Sequence, residues 1–191
     1  MTYVDFFSNL GFDFNIDLKA QSIEIEKEAT LSQKLKSSVL FYKSPNNTNT
    51  SFYLITSSLD TTELELFRKY VWNKNDADII FYYPNKADEV KMLYAKYSPK
   101  VSNNDSVLEV FSTTQKDLDT NEKIRHWQFD SGVFWLNYHS FIDKAKYKGI
   151  DKELVATLKA LKEQLNKLLI LSISDDSKRN EVVQALIDRT L

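Results

Sequence analysis

Between the helix-breaking Asn73-Lys74-Asn75-Asp76 and the turn Pro84-Asn85-Lys86 runs Ala77-Asp78-Ile79-Ile80-Phe81-Tyr82-Tyr83, apolar or aromatic at every position except Asp78. A strand wetted on one face alternates polar and apolar side chains, whereas a nearly continuous apolar run is the pattern of a strand covered on both faces. Such a strand needs helices above and below it, and the flanking sequence offers them. Upstream, Ser51–Thr56 is aromatic and β-branched and reads as a strand. Asp60 and Thr61 supply N-cap oxygens, Glu63 and Glu65 favour a first helical turn, and Leu64, Phe67 and Val71 form the buried face of a helix running to about Trp72. Downstream, Glu89–Tyr97 alternates as the hairpin partner, and Val107–Phe111 adds a further strand.

The outer parts of the chain are less uniform. Val39–Tyr42 is a short apolar run ended by Ser44-Pro45-Asn46-Asn47 turn chemistry. Val4–Leu10 predicts a short helix with Val4, Phe7 and Leu10 on one side. Residues 13–36 mix period two with a period near 3.6, which leaves strand and helix both open. From about residue 119 the patterns turn helical, over Glu122–Gln128 and Val133–Lys146. In 151–171, Leu154, Leu158, Leu161, Leu165 and Leu168 form one apolar stripe, and 178–190 restarts as a helix. The expected fold is α/β (α+β): a mixed, largely antiparallel sheet of short strands flanked by helices, followed by a helical C-terminal segment. Residues 1–118 form the sheet domain and 119–191 the helical segment. The final helix reaches Leu191 with no C-cap, glycine or polar tail, which predicts continuation into a downstream catalytic domain.

Composition removes several function classes. No cysteine occurs, which excludes disulfide frameworks, thiolate nucleophiles and Cys-ligated zinc, and points to the cytoplasm. Only Gly11, Gly132 and Gly149 are present, with no GxGxxG and no GxxxxGK[ST], so a nucleotide or S-adenosylmethionine core within these residues is not expected. No basic leader and no long apolar stretch points to a membrane. A formal net charge of −2 argues against a main DNA-gripping surface, because phosphate neutralisation supplies most non-specific affinity.

Two stretches carry a resemblance. Leu66-Phe67-Arg68-Lys69-Tyr70-Val71-Trp72-Asn73, then Ala77–Tyr83 and Glu89-Val90-Lys91, resemble a helix–"WN"–strand–"EV[RK]" arrangement in the N-terminal region of large restriction-modification methyltransferases, type IIG-like and related adenine-specific enzymes. Arg179-Asn180-Glu181-Val182-Val183-Gln184-Ala185-Leu186-Ile187-Asp188-Arg189-Thr190-Leu191 looks like the start of the helix that leads into their methyltransferase domain. The acidic "LED"-like end of that helix is not in this sequence, nor is the Asn-Pro-Pro-aromatic motif that receives a flipped adenine. The resemblance implies a module supporting DNA binding or domain assembly, with S-adenosylmethionine bound by the parent protein and no cofactor in these residues. Its implied partners are DNA and a downstream methyltransferase domain.

Enzymes of that class often carry an N-terminal nuclease in which an Asp and a Glu-x-Lys hold Mg²⁺ and orient water. Asp78 followed by Glu89-Val90-Lys91 has a compatible spacing and defines the catalytic alternative. With the turn at Pro84–Lys86, Asp78 pairs near Leu93 and Glu89 near Tyr82, which separates the carboxylates by about 13 Å along the hairpin at roughly 3.3 Å per residue. Lys144, Lys146, Lys148 and Lys152 head the most basic window, residues 143–167, whose surplus is three positive charges; they are the candidate DNA contacts, and a solvated helix face explains them equally well. His126 and His139 read as hydrogen-bonded, partly buried side chains, and the aromatic cluster from Trp127 to Phe141 as core. A third reading is a protein-interaction module with no DNA role.

Overall fold

The computed structural model describes the chain except residues 27, 46–49, 85–86, 114–119, 145, 147–149 and 189–191. Six strands form one sheet in sequence order: β1 (Leu18–Ala20), β2 (Val39–Tyr42), β3 (Phe52–Ile55), β4 (Ile79–Tyr82), β5 (Glu89–Tyr94) and β6 (Val107–Ser112). Only β3 and β4 pair in parallel; every other neighbouring pair is antiparallel. The sheet is thus mixed and largely antiparallel, as the sequence predicts.

The parallel pair explains the unbroken apolar runs. A parallel connection needs a crossover, here the helix α3 (Thr61–Lys74), and so β3 and β4 sit in the middle of the sheet with both faces covered. All four β3 side chains are fully buried. Phe52 and Leu54 join Ile79 and Phe81 in the core of one face; Tyr53 and Ile55 join Ile80 in the core of the other. On the second face, Leu64, Phe67 and Val71 of α3 pack with Leu31 and Leu35 of α2 (Ala29–Leu35). Asp60 caps α3 as anticipated, its carboxylate accepting from the Glu63 N–H at 2.8 Å while Glu63 accepts from the Asp60 N–H at 3.0 Å. Asn75 ends the helix in the left-handed region (φ 56°).

The first face is covered by α1 (Tyr3–Asn9), α4 (His126–Asp130) and α5 (Phe134–Tyr138). Phe6, Phe7, Phe129, Phe134 and Tyr138 are all buried there, and the Tyr138 hydroxyl donates to Glu109 of β6 at 2.5 Å. The long helical patterns expected over 122–128 and 133–146 are instead a 3₁₀ segment at Thr120–Ile124 and two short helices broken at Gly132, which has φ 75°. An aromatic every few residues suits a helix, but it equally suits short segments pressed on a sheet.

The chain divides into two compact units, residues 1–147 and 148–191. The boundary expected at 118/119 marks the change from strands to helices, yet the first unit runs further because α4 and α5 belong to the core of the sheet. The second unit contains α6 (Ile150–Leu169) and α7 (Asp176–Asp188). Asp175 precedes α7 and accepts from the N–H groups of Ser177 and Lys178 at 2.9 and 3.2 Å. Leu158, Leu161 and Leu165 of the leucine stripe are half-buried, whereas Leu154 and Leu168 are exposed. Among the described residues no helix is long and apolar enough to cross a membrane.

Candidate functional site

The hairpin holds the carboxylates that sequence singled out. Strand β4 pairs Ile80 with Leu93 and Tyr82 with Lys91, and the Asp78 carbonyl accepts the Ala95 N–H at 2.8 Å. Asp78 therefore faces Ala95 and not Leu93, a register two residues further along than a turn centred on Pro84–Lys86 implies; residues 85–86 themselves lie outside the described part. From the position opposite Asp78 to Glu89 is six residues along β5, about 20 Å at the strand rise of roughly 3.3 Å. Asp78, Glu89 and Lys91 share a face of the hairpin by parity but do not converge, and oxygen ligands at about 2.0–2.6 Å from one ion cannot span that gap. Glu89 and Lys91 are exposed; Asp78 instead approaches Lys96, with N···O 3.6 Å. Burial pushes the Asp78 carboxyl above its ordinary range, and Lys96 pulls it part of the way back.

The basic window is shared between the two units. Lys144 is exposed in the first. Lys146 sits over Asp105, 3.8 Å from its carboxylate and 3.4 Å from its carbonyl. Lys148 lies outside the described residues. Lys152 belongs to α6, where with Lys159 it flanks Val155 and Ala156 in a shallow groove of about 340 Å³.

A different cluster is assembled around His126. Gly11 adopts φ 93°, a conformation costly for a side chain, and the turn it makes presents the Leu10 carbonyl to the His126 N–H at 2.9 Å. The ring packs edge-on to Phe12, centroids 4.9 Å apart. Its Nε2 stands 3.3 Å from Asp130 Oδ2 and 3.5 Å from Asp17 Oδ2. Asp17 is held in turn by the Asp13 N–H at 2.7 Å. On the other side of Asp130, the Tyr42 hydroxyl donates to Oδ1 at 2.5 Å. Burial, then the Asp130 carboxylate, pushes the Tyr42 phenol far above its ordinary value, so it stays a proton donor.

These contacts latch α4 onto the β1–β2 edge of the sheet. They border a cleft of about 610 Å³ lined by Asp17, Lys19, Phe41, Tyr42, Lys43 and Ser44 among others. The spacing of His126 and Asp130, one helical turn apart, was legible in the sequence. Their meeting with Asp17 and Tyr42 was not, because those residues lie on the far side of the chain. Among the described residues, no group of three or more His, Asp or Glu side chains is arranged to hold a metal ion.

Of the three glycines, Gly149 lies outside the described residues. Gly11 follows α1 and Gly132 separates α4 from α5, so neither occupies the strand-to-helix turn where backbone approaches such a cofactor. Comparison with known protein families, curated proteins and solved structures gives no match to this chain.

Proposed function

We propose that the chain is a non-catalytic N-terminal module of a restriction-modification DNA methyltransferase, acting in domain assembly and in support of DNA binding. The observation that carries this reading is where the resembling residues fall. Residues 66–73 lie within α3, 77–83 contain the central strand β4, and 89–91 begin the adjacent β5, so the likeness follows one continuous supersecondary unit and not scattered surface positions. Within it, Arg68 is 3% exposed and donates to the Val101 carbonyl at 2.9 Å and to Asn103 Oδ1 at 3.0 Å, tying the crossover helix to the loop before β6. Trp72 and Val71 are buried in the same helix. The second resembling stretch lies in α7 from Arg179 to Asp188, and its last three residues are outside the described part.

In this reading S-adenosylmethionine is held by the parent enzyme outside residues 1–191, the enzyme works on DNA in the cytoplasm, and α6–α7 face the methyltransferase domain. The offset of Asp78 and Glu89, about 20 Å along the strand, favours this reading over a Mg²⁺-dependent nuclease. The test compares the enzyme as its host makes it, isolated through an N-terminal tag, with residues 1–191 alone. Calorimetry should find S-adenosylmethionine binding in the host-made protein and none in residues 1–191. Saturable micromolar binding by residues 1–191, or none by the host-made protein, would overturn the assignment. Asp78→Ala in the host-made enzyme should leave any DNA cleavage unchanged; its loss with methylation retained would establish the nuclease instead.

A further inference from the structure

The cleft beside His126 has features that the latch does not use. Strand alternation sends Leu18 and Tyr42 to the α4 side of the sheet edge and Phe41, paired with Lys19, to the opposite side. The cleft wraps this edge, so one end is acidic and hydroxylic (Asp17, Asp130, Tyr42, Ser44) and the other carries Lys19 and Lys43 with apolar surface from Phe41. Among the described residues, three groups in it have no well-formed hydrogen bond or ion pair. The Ser44 hydroxyl is 7% exposed, lies beside the Tyr42 phenol and makes no hydrogen bond of good geometry. Lys19 and Lys43 form no ion pair among the described residues. A buried hydroxyl left unsatisfied costs free energy that a ligand would recover.

We propose that this cleft binds a nucleotide whose base bears an exocyclic amino group, a cytosine or adenine nucleotide, with the amine on Asp17 and Asp130 and the phosphate on Lys19 and Lys43. A carboxylate accepts up to four hydrogen bonds, so Asp17, which takes the Asp13 N–H and stands near His126, keeps capacity for an amine, with the Asp130 carboxylate lining the same cleft. Carboxylates accept from the cytosine amino group in the same way in base recognition. Two ammonium groups lining one cleft suit a phosphate, and Phe41 beside them offers apolar surface. The volume, about 610 Å³, is within the range of small-ligand sites. The same chemistry is presented by a free nucleoside monophosphate and by an unpaired base in a single strand. The proposal stands independently of the methyltransferase assignment.

The experiment titrates the full chain with CMP, AMP, UMP and cytidine, and with the single strands d(TTCTT) and d(TTTTT), following amide shifts in two-dimensional NMR. Saturable binding of CMP or AMP is expected, about tenfold or more tighter than UMP. Preference for d(TTCTT) over d(TTTTT) with no response to free CMP would identify the source as a strand. The exposed double variant Lys19→Ala/Lys43→Ala leaves the core untouched; it should weaken CMP by about tenfold and leave cytidine unchanged. Asp17→Asn should reduce the preference for the amino-bearing base. Equal binding of UMP and CMP, indifference of CMP to the lysine variant, or no saturation by any of these ligands would overturn the proposal.

Discussion

Replacing Phe129 by alanine tests whether residues 120–141 are part of the sheet's core or a separate helical appendage. Phe129 is fully buried and its ring meets Phe134 at 4.6 Å, Phe52 at 5.2 Å, Phe12 at 5.7 Å and Tyr42 at 5.9 Å. Its neighbours come from four separate segments, which limits their collapse into the space the ring leaves. A buried Phe→Ala change of this kind costs about 3–5 kcal/mol. In a unit of this size 1 kcal/mol lowers Tm by about 2–4 °C, so a fall of roughly 6–20 °C is expected. Trp72, Trp127 and Trp135 all lie in residues 1–147, so tryptophan fluorescence during urea or thermal unfolding reports this unit directly. Leu136→Ala is the control: Leu136 is 83% exposed, and its loss should stay within about 0.5 kcal/mol. A cost below about 1 kcal/mol for Phe129→Ala, with an unchanged denaturant slope, would refute the packing of α4 on the sheet.

Asp60→Ala removes the carboxylate that accepts from the Glu63 N–H, one arm of the α3 capping box, and should cost about 1 kcal/mol, read as a shift of the urea midpoint. Asp78→Asn addresses the buried carboxyl. Its folded value is raised, so ionisation costs stability at neutral pH and that cost is absent in acid. The variant's stability relative to the parent should therefore rise with pH through the carboxylate range and then level off; a fall over the same range would show the Lys96 contact to dominate. Residues 1–191 should bind duplex DNA weakly, with binding fading between about 50 and 200 mM salt; tight, salt-resistant binding would contradict the electrostatic reading.

Where local chemistry decided structure, the sequence was readable. The Asp60 cap, the Asn75 stop, the continuous apolar β3 and β4 and the amphipathic α6 all follow from periodicities and caps within a few residues. Residues 13–36 stayed ambiguous because β1 has only three residues and is specified by its pairing with β2, a tertiary fact. The hairpin register lies two residues beyond the one that Pro84–Lys86 implies, because it depends on where the turn closes, and a shift of one residue there moves every partner by two. The candidate acids on that hairpin have a compatible spacing along the chain but lie far apart in space. The His126 cluster is hidden in the sequence for the converse reason: its acids come from residues 17 and 130, and only the closing of α4 on the sheet edge brings them within 3.5 Å of one imidazole nitrogen.

The most direct test of the central claim reads adenine methylation in the cells that carry this gene. Their genomic DNA is sequenced by a method sensitive to N6-methyladenine, with the gene intact and with it disrupted. A methyltransferase parent predicts one sequence motif methylated in the first strain, unmethylated in the second, and restored when the gene is returned. An unchanged methylation pattern across the three strains would contradict the assignment.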